Sequence, residues 1–182
     1  MQYLAQHINN VVNPSDRLFL AMLCFHPLRL EEFLGLKYGD IDRQKCELNV
    51  CRAVTHPTRN QPEVKETKTE KSTRITALSK LTLPYLTKGK ANEFLFGGKT
   101  PISYTQLRKM CQRIKRDTGF SEDITPRRFR STLLTDIYDQ TRDVKLTQNA
   151  GGHATADITF KNYVQGREVS HTATKVLEKL YM

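Results

Sequence analysis

The chain has no apolar run near the roughly 18 residues needed to span a bilayer, so no stretch of it reads as a transmembrane helix. Its opening, Met-Gln-Tyr-Leu-Ala-Gln, lacks the basic and apolar regions of a secretory signal. Cysteine is sparse: Cys24, Cys46, Cys51 and Cys111 form no C-x-x-C pair and have no histidine at zinc-ligand spacing. Reduced, partly buried thiols in a cytosolic protein are therefore expected, and neither a metal nor a cofactor is. There is no internal repeat, no low-complexity linker, and no aromatic stacking motif of the kind that marks RNA-binding sheets. Negative charge is also in short supply. The chain carries 29 Lys+Arg against 19 Asp+Glu, a formal net charge of +10 with pI ≈ 9.6. An excess of that size favours a polyanionic partner, with nucleic acid the first candidate.

What is present fits one globular domain of 182 residues, 38% hydrophobic and 26% charged, long enough to bury a core. Asn13-Pro14 reads as the N-cap and first position of a helix, with Leu18, Met22 and Phe25 on its apolar face. His26-Pro27 ends it. A second helix covers Arg29 to Gly35, with Gly35 suited to a left-handed stop and with Arg29 and Glu32 sharing a face. Alternation within Cys46–Thr55, then around Val64 and at Ile75–Ala77, predicts three short strands of a small antiparallel sheet. Between the last two lies Lys65 to Arg74, dense in charge and threonine. Ser103-Tyr-Thr-Gln106 is a capping box. It opens an amphipathic helix that is apolar at Leu107, Met110, Cys111 and Ile114, basic elsewhere, and closed by Gly119. The next helix carries Phe129, Leu133, Leu134 and Ile137 inward. A short one follows from Val144 to Gln148, before Gly151-Gly152-His153. A final amphipathic helix is expected in the tail, about 170–182.

The basic residues cluster. From Arg108 to Arg130 there are eight basic residues and three acidic ones. Arg127, Arg128 and Arg130 crowd into Ile124-Thr-Pro-Arg-Arg-Phe-Arg-Ser-Thr132. Guanidinium groups this close repel one another unless an anion lies among them, and arginine's planar fork matches phosphate oxygens.

Several weak signals gain meaning from their order. His26-Pro27-Leu28-Arg29-Leu-Glu-Glu32-Phe-Leu-Gly-Leu36 leads into Asp40-Ile-Asp42. Lys68 sits in Thr67-Lys-Thr-Glu-Lys-Ser-Thr-Arg74. Thr125-Pro-Arg127-Arg-Phe-Arg130-Ser-Thr132, Gly151-Gly-His153 and Thr159-Phe-Lys-Asn-Tyr163 follow. In this order and spacing the chain resembles the catalytic domain of tyrosine site-specific recombinases, the phage integrase family, from about Arg17 to Val164. The resemblance implies an α+β fold, mostly helical, with a small three-stranded antiparallel sheet. It implies metal-free DNA strand exchange through a covalent 3′-phosphotyrosyl intermediate. By the same resemblance Tyr163 would be the nucleophile, and Arg29 and Arg130 would clamp the phosphate. Lys68 would be the acid for the leaving 5′-oxygen, His153 a donor to the phosphate, and Glu32 a support. Arg128, Arg108, Lys109, Arg113, Lys71 and Arg74 would contact DNA.

The implied partner is double-stranded DNA. The full-length family member would act as a homotetramer in the cytoplasm. The chain on its own would be a catalytic domain without the preceding core-binding domain, and monomeric. Its tail helix would pack either in cis or on a neighbour. Three positions depart from the family pattern. His26-Pro27 replaces Thr-Gly, Gly151 replaces the leucine of L-G-H, and Arg127 takes the place of a histidine that accepts the tyrosine proton. Arginine stays protonated in this pH range and cannot be that base. Two other readings stay open, a type IB topoisomerase-like enzyme and a catalytically attenuated DNA-binding relative.

Overall fold

A computed structural model describes residues 1–58, 60–66 and 73–152. Lys68, Lys71, His153, Tyr163 and the expected tail helix lie outside the described residues. The helix α2 (Pro14–Phe25), which follows a short α1 (Gln2–Gln6), is the centre of the molecule. Asn13 caps it, its side-chain oxygen accepting from the backbone N–H groups of Ser15 at 2.9 Å and Asp16 at 3.2 Å. An apolar stripe was expected, but every residue from Leu18 to Cys24 is buried. The reason is enclosure: α1, α4 (Tyr104–Thr118), α5 (Pro126–Thr141) and a 3-10 turn at Leu83–Tyr85 all pack on α2. Phe19 meets Phe96 edge-on, ring centroids 5.1 Å apart.

Burial pushes the Cys24 thiol up to about 12 and, together with the nearby charge of Asp16, the Cys111 thiol up to about 11. No disulfide joins any of the four cysteines.

Local signals place the helix ends. Ser103 and Gln106 form their capping box at the start of α4, and Gly119 stops it at φ +67°. Asp143 caps α6 (Val144–Gly151) by accepting from the Leu146 N–H at 2.9 Å. In α5, Phe129 and Leu134 are buried while Leu133 and Ile137 are half-buried. The last two instead line an apolar groove shared with Leu146 and Ala150 of α6.

The β structure differs from the expectation of three strands in one sheet. The run Cys46–Thr55 is not one strand. It breaks at Cys51 into β2 (Glu47–Val50) and β3 (Arg52–Thr58), which join different sheets. The three-stranded antiparallel sheet is β1 (Ile41–Asp42), β2 and β5 (Arg74–Ala77), in the order β1-β2-β5, with Leu48 opposite both Ile41 and Thr76. The Val64 strand, β4 (Gln61–Glu66), pairs only with β3, Val64 facing Val54. What holds β3 apart is its packing on α3 (Leu30–Gly35). A Cβ on Gly35 would lie 2.6 Å from the Arg52 carbonyl oxygen. Gly35 is therefore small to admit a neighbouring strand, not to turn left, and it is absent from the positive-φ glycines. Arg52 secures the junction, donating to both oxygens of Asp40 at 2.7 and 2.9 Å and to the Gly35 carbonyl at 3.1 Å.

Candidate active site

The chain turns sharply at His26-Pro27, so α3 starts with Arg29 as its N-cap in extended geometry (φ −70°, ψ 149°). Glu32, at the third helical position, reaches back and accepts from the Arg29 backbone N–H at 2.8 Å. This is the carboxylate half of a capping box, and it turns Glu32 inward. Two guanidinium groups then share that carboxylate. Arg29 Nη1 donates to Oε1 at 3.0 Å. Arg74, from the start of β5, donates Nη1 to Oε1 and Nη2 to Oε2, both at 2.9 Å. Burial works to raise the Glu32 pKa, but the hydrogen bonds and charge of Arg74, followed by those of Arg29, outweigh it and hold the carboxyl below its ordinary value.

The other donors of Arg29 point elsewhere. Its Nη2 donates to the Gly152 carbonyl at 3.1 Å. Arg130, on α5, donates Nη2 to the neighbouring Gly151 carbonyl at 2.7 Å and Nη1 to the Pro27 carbonyl at 2.6 Å. Arg29 and Arg130 thus meet at two consecutive carbonyls where α6 ends, although 101 positions separate them in the chain. Gly152 is left-handed at φ +60°, and a Cβ there would lie 2.6 Å from Cζ of Arg74. The turn needs a glycine both for its conformation and for the guanidinium packed against it.

Behind the site, His26 is buried with Nε2 3.0 Å from Thr82 Oγ1. Burial pulls its pKa down to about 4, a backbone hydrogen bond at Ala77 acting in the opposite direction, so it is neutral near pH 7. The His26-Pro27 departure therefore places a satisfied core imidazole behind the Arg29 turn.

The remaining basic candidates divide. Arg127, in the first turn of α5, is exposed and makes no ion pair among the described residues. Arg108 and Lys109 are exposed on α4. Arg128 is exposed and pairs with Glu122 at 2.9 Å. Arg113 and Arg74, both expected to face DNA, each grip a buried carboxylate. Arg113 holds Asp16 through Nε and Nη2 at 2.6 and 2.8 Å, and that carboxylate is only 1% exposed. Sequence reasoning missed the structural use of Arg74 and the carbonyls of Pro27, Gly151 and Gly152. A backbone acceptor leaves no trace in residue identity. Among the described residues no group of three or more His, Cys, Asp or Glu could hold a metal ion.

The sequence pattern of the phage integrase family matches residues 1–168. The chain belongs to the phage integrase family. This integrase-family chain is 27% identical over 150 residues to the tyrosine recombinase XerS of Streptococcus gordonii, covering 79% of this chain and 40% of that protein. Among solved structures, 96% of it superposes on 63% of the Tn1549 transposon integrase in complex with a circular intermediate DNA, with TM-score 0.75 and 19% identity. All of it superposes on 52% of the XerH site-specific recombinase bound to difH substrate, with TM-score 0.69 and 17% identity. The expected helical fold with small antiparallel sheets is therefore that of tyrosine recombinase catalytic domains. The integrase-family chain spans about two fifths of the curated relative's length. No helix among the described residues is long and apolar enough to cross a membrane.

Proposed function

We propose that the chain cleaves and rejoins double-stranded DNA by transesterification, with Tyr163 as nucleophile. The tyrosine oxygen attacks the scissile phosphorus, forming a 3′-phosphotyrosyl bond as the bond to the 5′-oxygen breaks. Lys68 delivers a proton to that leaving oxygen. Arg29 and Arg130 stabilise the charge that develops on the non-bridging oxygens, and His153 donates to the same phosphate. Arg127 replaces a base, so the tyrosine proton passes to water or to a phosphate oxygen, while the arginine's charge favours the phenolate. The free 5′-hydroxyl of a second strand reverses the step and rejoins the DNA. The linkage energy stays in the covalent intermediate, and no step is routed through a metal.

The observation that carries this reading is the meeting of Arg29 and Arg130 at the Gly151–Gly152 turn, immediately before His153 in the sequence. The Tn1549 integrase and XerH structures hold a circular intermediate DNA and a difH substrate, which supports the choice of partner. Exposed Arg127, Arg128, Arg108 and Lys109, with Lys71, would contact the DNA backbone. Binding should therefore weaken steeply with salt. On DNA the full-length protein would assemble as a homotetramer in the cytoplasm.

A nicked suicide duplex tests the chemistry. The wild-type chain should form a covalent protein–DNA adduct and Tyr163→Phe should form none. An absent wild-type adduct would leave the attenuated DNA-binding reading, which the exposed, non-basic-catalyst Arg127 favours. Holliday-junction formation from two duplexes separates strand exchange from topoisomerase-like relaxation.

A further inference from the structure

We infer that Arg74 is a positioning residue for the strand cleavage proposed above: by gripping both oxygens of Glu32 and packing against Gly152, it keeps the Arg29 guanidinium aimed at the Gly151–Gly152 turn. The inference rests on that proposed function. Its basis is a division of labour at one carboxylate. Glu32 offers two oxygens, and Arg74 takes one donor on each, at 2.9 Å. Besides its backbone N–H on Oε2, Arg29 therefore turns only Nη1 of its guanidinium to Glu32 and keeps Nη2 on the Gly152 carbonyl at 3.1 Å. Without Arg74, Glu32 would lose a charged donor on each oxygen and keep one cationic neighbour, with only the Arg29 backbone N–H left on Oε2. The stable arrangement of an arginine and a carboxylate is the parallel two-bond fork. Arg29 would rotate into that fork, closing an ion pair and withdrawing the donor that faces the turn. With Arg74 in place the three side chains carry one net positive charge. Without it Arg29 and Glu32 cancel.

Two further observations assign Arg74 to the protein's interior and not to a DNA phosphate. Its side chain is 21% exposed, and its Nε is buried with no hydrogen-bond partner among the described residues. A buried unpaired donor is uncommon and calls for a reason. Here the reason is the close seat beneath Gly152, where even a methyl group would collide with the guanidinium. Arg74 thereby joins three separate parts of the chain: β5, the start of α3 and the end of α6.

The test measures single-turnover adduct formation on the nicked duplex at saturating DNA, together with the salt dependence of DNA binding and the thermal midpoint. For Arg74→Ala, adduct formation should slow about 100-fold, the scale expected when a reacting group is displaced by an ångström. The slope of log affinity against log salt should match wild type. Arg74→Lys keeps the charge but cannot form the fork, so it too should cleave well below the wild-type rate at temperatures far under its midpoint. It carries the test alone if Arg74→Ala does not fold. A slope reduced by about 1 with unchanged cleavage would make Arg74 a phosphate contact and overturn the inference. Wild-type cleavage by Arg74→Lys would also overturn it, since a purely structural cation would move only the midpoint. If the wild-type chain itself forms no Tyr163-dependent adduct, the proposed function has failed and the positioning role falls with it.

Discussion

Asp16 and Glu32 are each gripped, as Asp40 is, by the two-bond fork of an arginine, and these two pairings have opposite consequences. Asp16 on α2 is paired with Arg113 of α4, and its charge is cancelled. Glu32 on α3 is paired with Arg74 and then approached by Arg29 as well, so its charge is over-compensated. The first arrangement seals two helices together. The second leaves surplus positive charge beside a turn that already holds Arg130. A buried ion pair alone indicates little about function. The count of cations around each carboxylate separates a clasp from a site.

The strongest way to break this contrast is to remove one of the two arginines proposed to clamp the phosphate. Arg130→Ala should slow covalent adduct formation about 100- to 1000-fold, whereas Arg113→Ala should leave the rate at saturating DNA unchanged. Equal losses from both would erase the distinction. The next largest effect lies behind the site, in the buried His26. Its folded pKa lies near 4, below the ordinary 6.5, so the unfolded chain takes up the proton first. Stability from this group is complete above pH 6.5, is lost as pH falls toward 4, and changes no further below that. The displacement corresponds to about 3 kcal/mol. Urea unfolding across that window should show the slope, and His26→Gln should flatten it.

Arg113→Ala itself should cost about 2 kcal/mol in denaturant unfolding, because Asp16 would stay buried without its partner. That figure is reduced from the fully buried case because Arg113 is 39% exposed. Two glycines supply the smallest and sharpest comparison. Gly119 and Gly152 have similar backbones, φ +67° and +60°, but a Cβ on Gly119 would meet only Tyr3 Oη at 3.7 Å. Gly119→Ala should cost about 1 kcal/mol from its backbone alone. Gly152→Ala should cost more and should also slow cleavage, since it displaces Arg74. Equal effects of the two substitutions would mean that Arg74 gives way freely.

The features legible in the sequence are those decided within a few residues. Asn13-Pro14, Ser103 with Gln106, and Gly119 mark helix ends because a cap is a contact between near neighbours. The order of Arg29, Arg130 and the Gly-Gly turn was legible through the family resemblance. The division of Cys46–Thr55 was not, because alternation reports which face is buried and not which sheet does the burying. Nor could the sequence separate Arg113 and Arg74 from Arg108. All three read as basic residues in basic surroundings, and only the approach of Asp16 or Glu32 from elsewhere in the chain engages two of them in ion pairs.

The two consecutive carbonyls at the end of α6 have a consequence for energetics. An arginine side chain carries about 2 kcal/mol of rotamer freedom, and anything that binds it in one pose must overcome that freedom. In this chain Arg29 and Arg130 are already confined by Gly151 and Gly152. Their ordering is completed during folding, before any ligand arrives. On the proposed function, the affinity of the site for a phosphate would thus be partly stored in the stability of a helix end. A change that frays the last turn of α6 would weaken binding without touching a single group that meets the ligand.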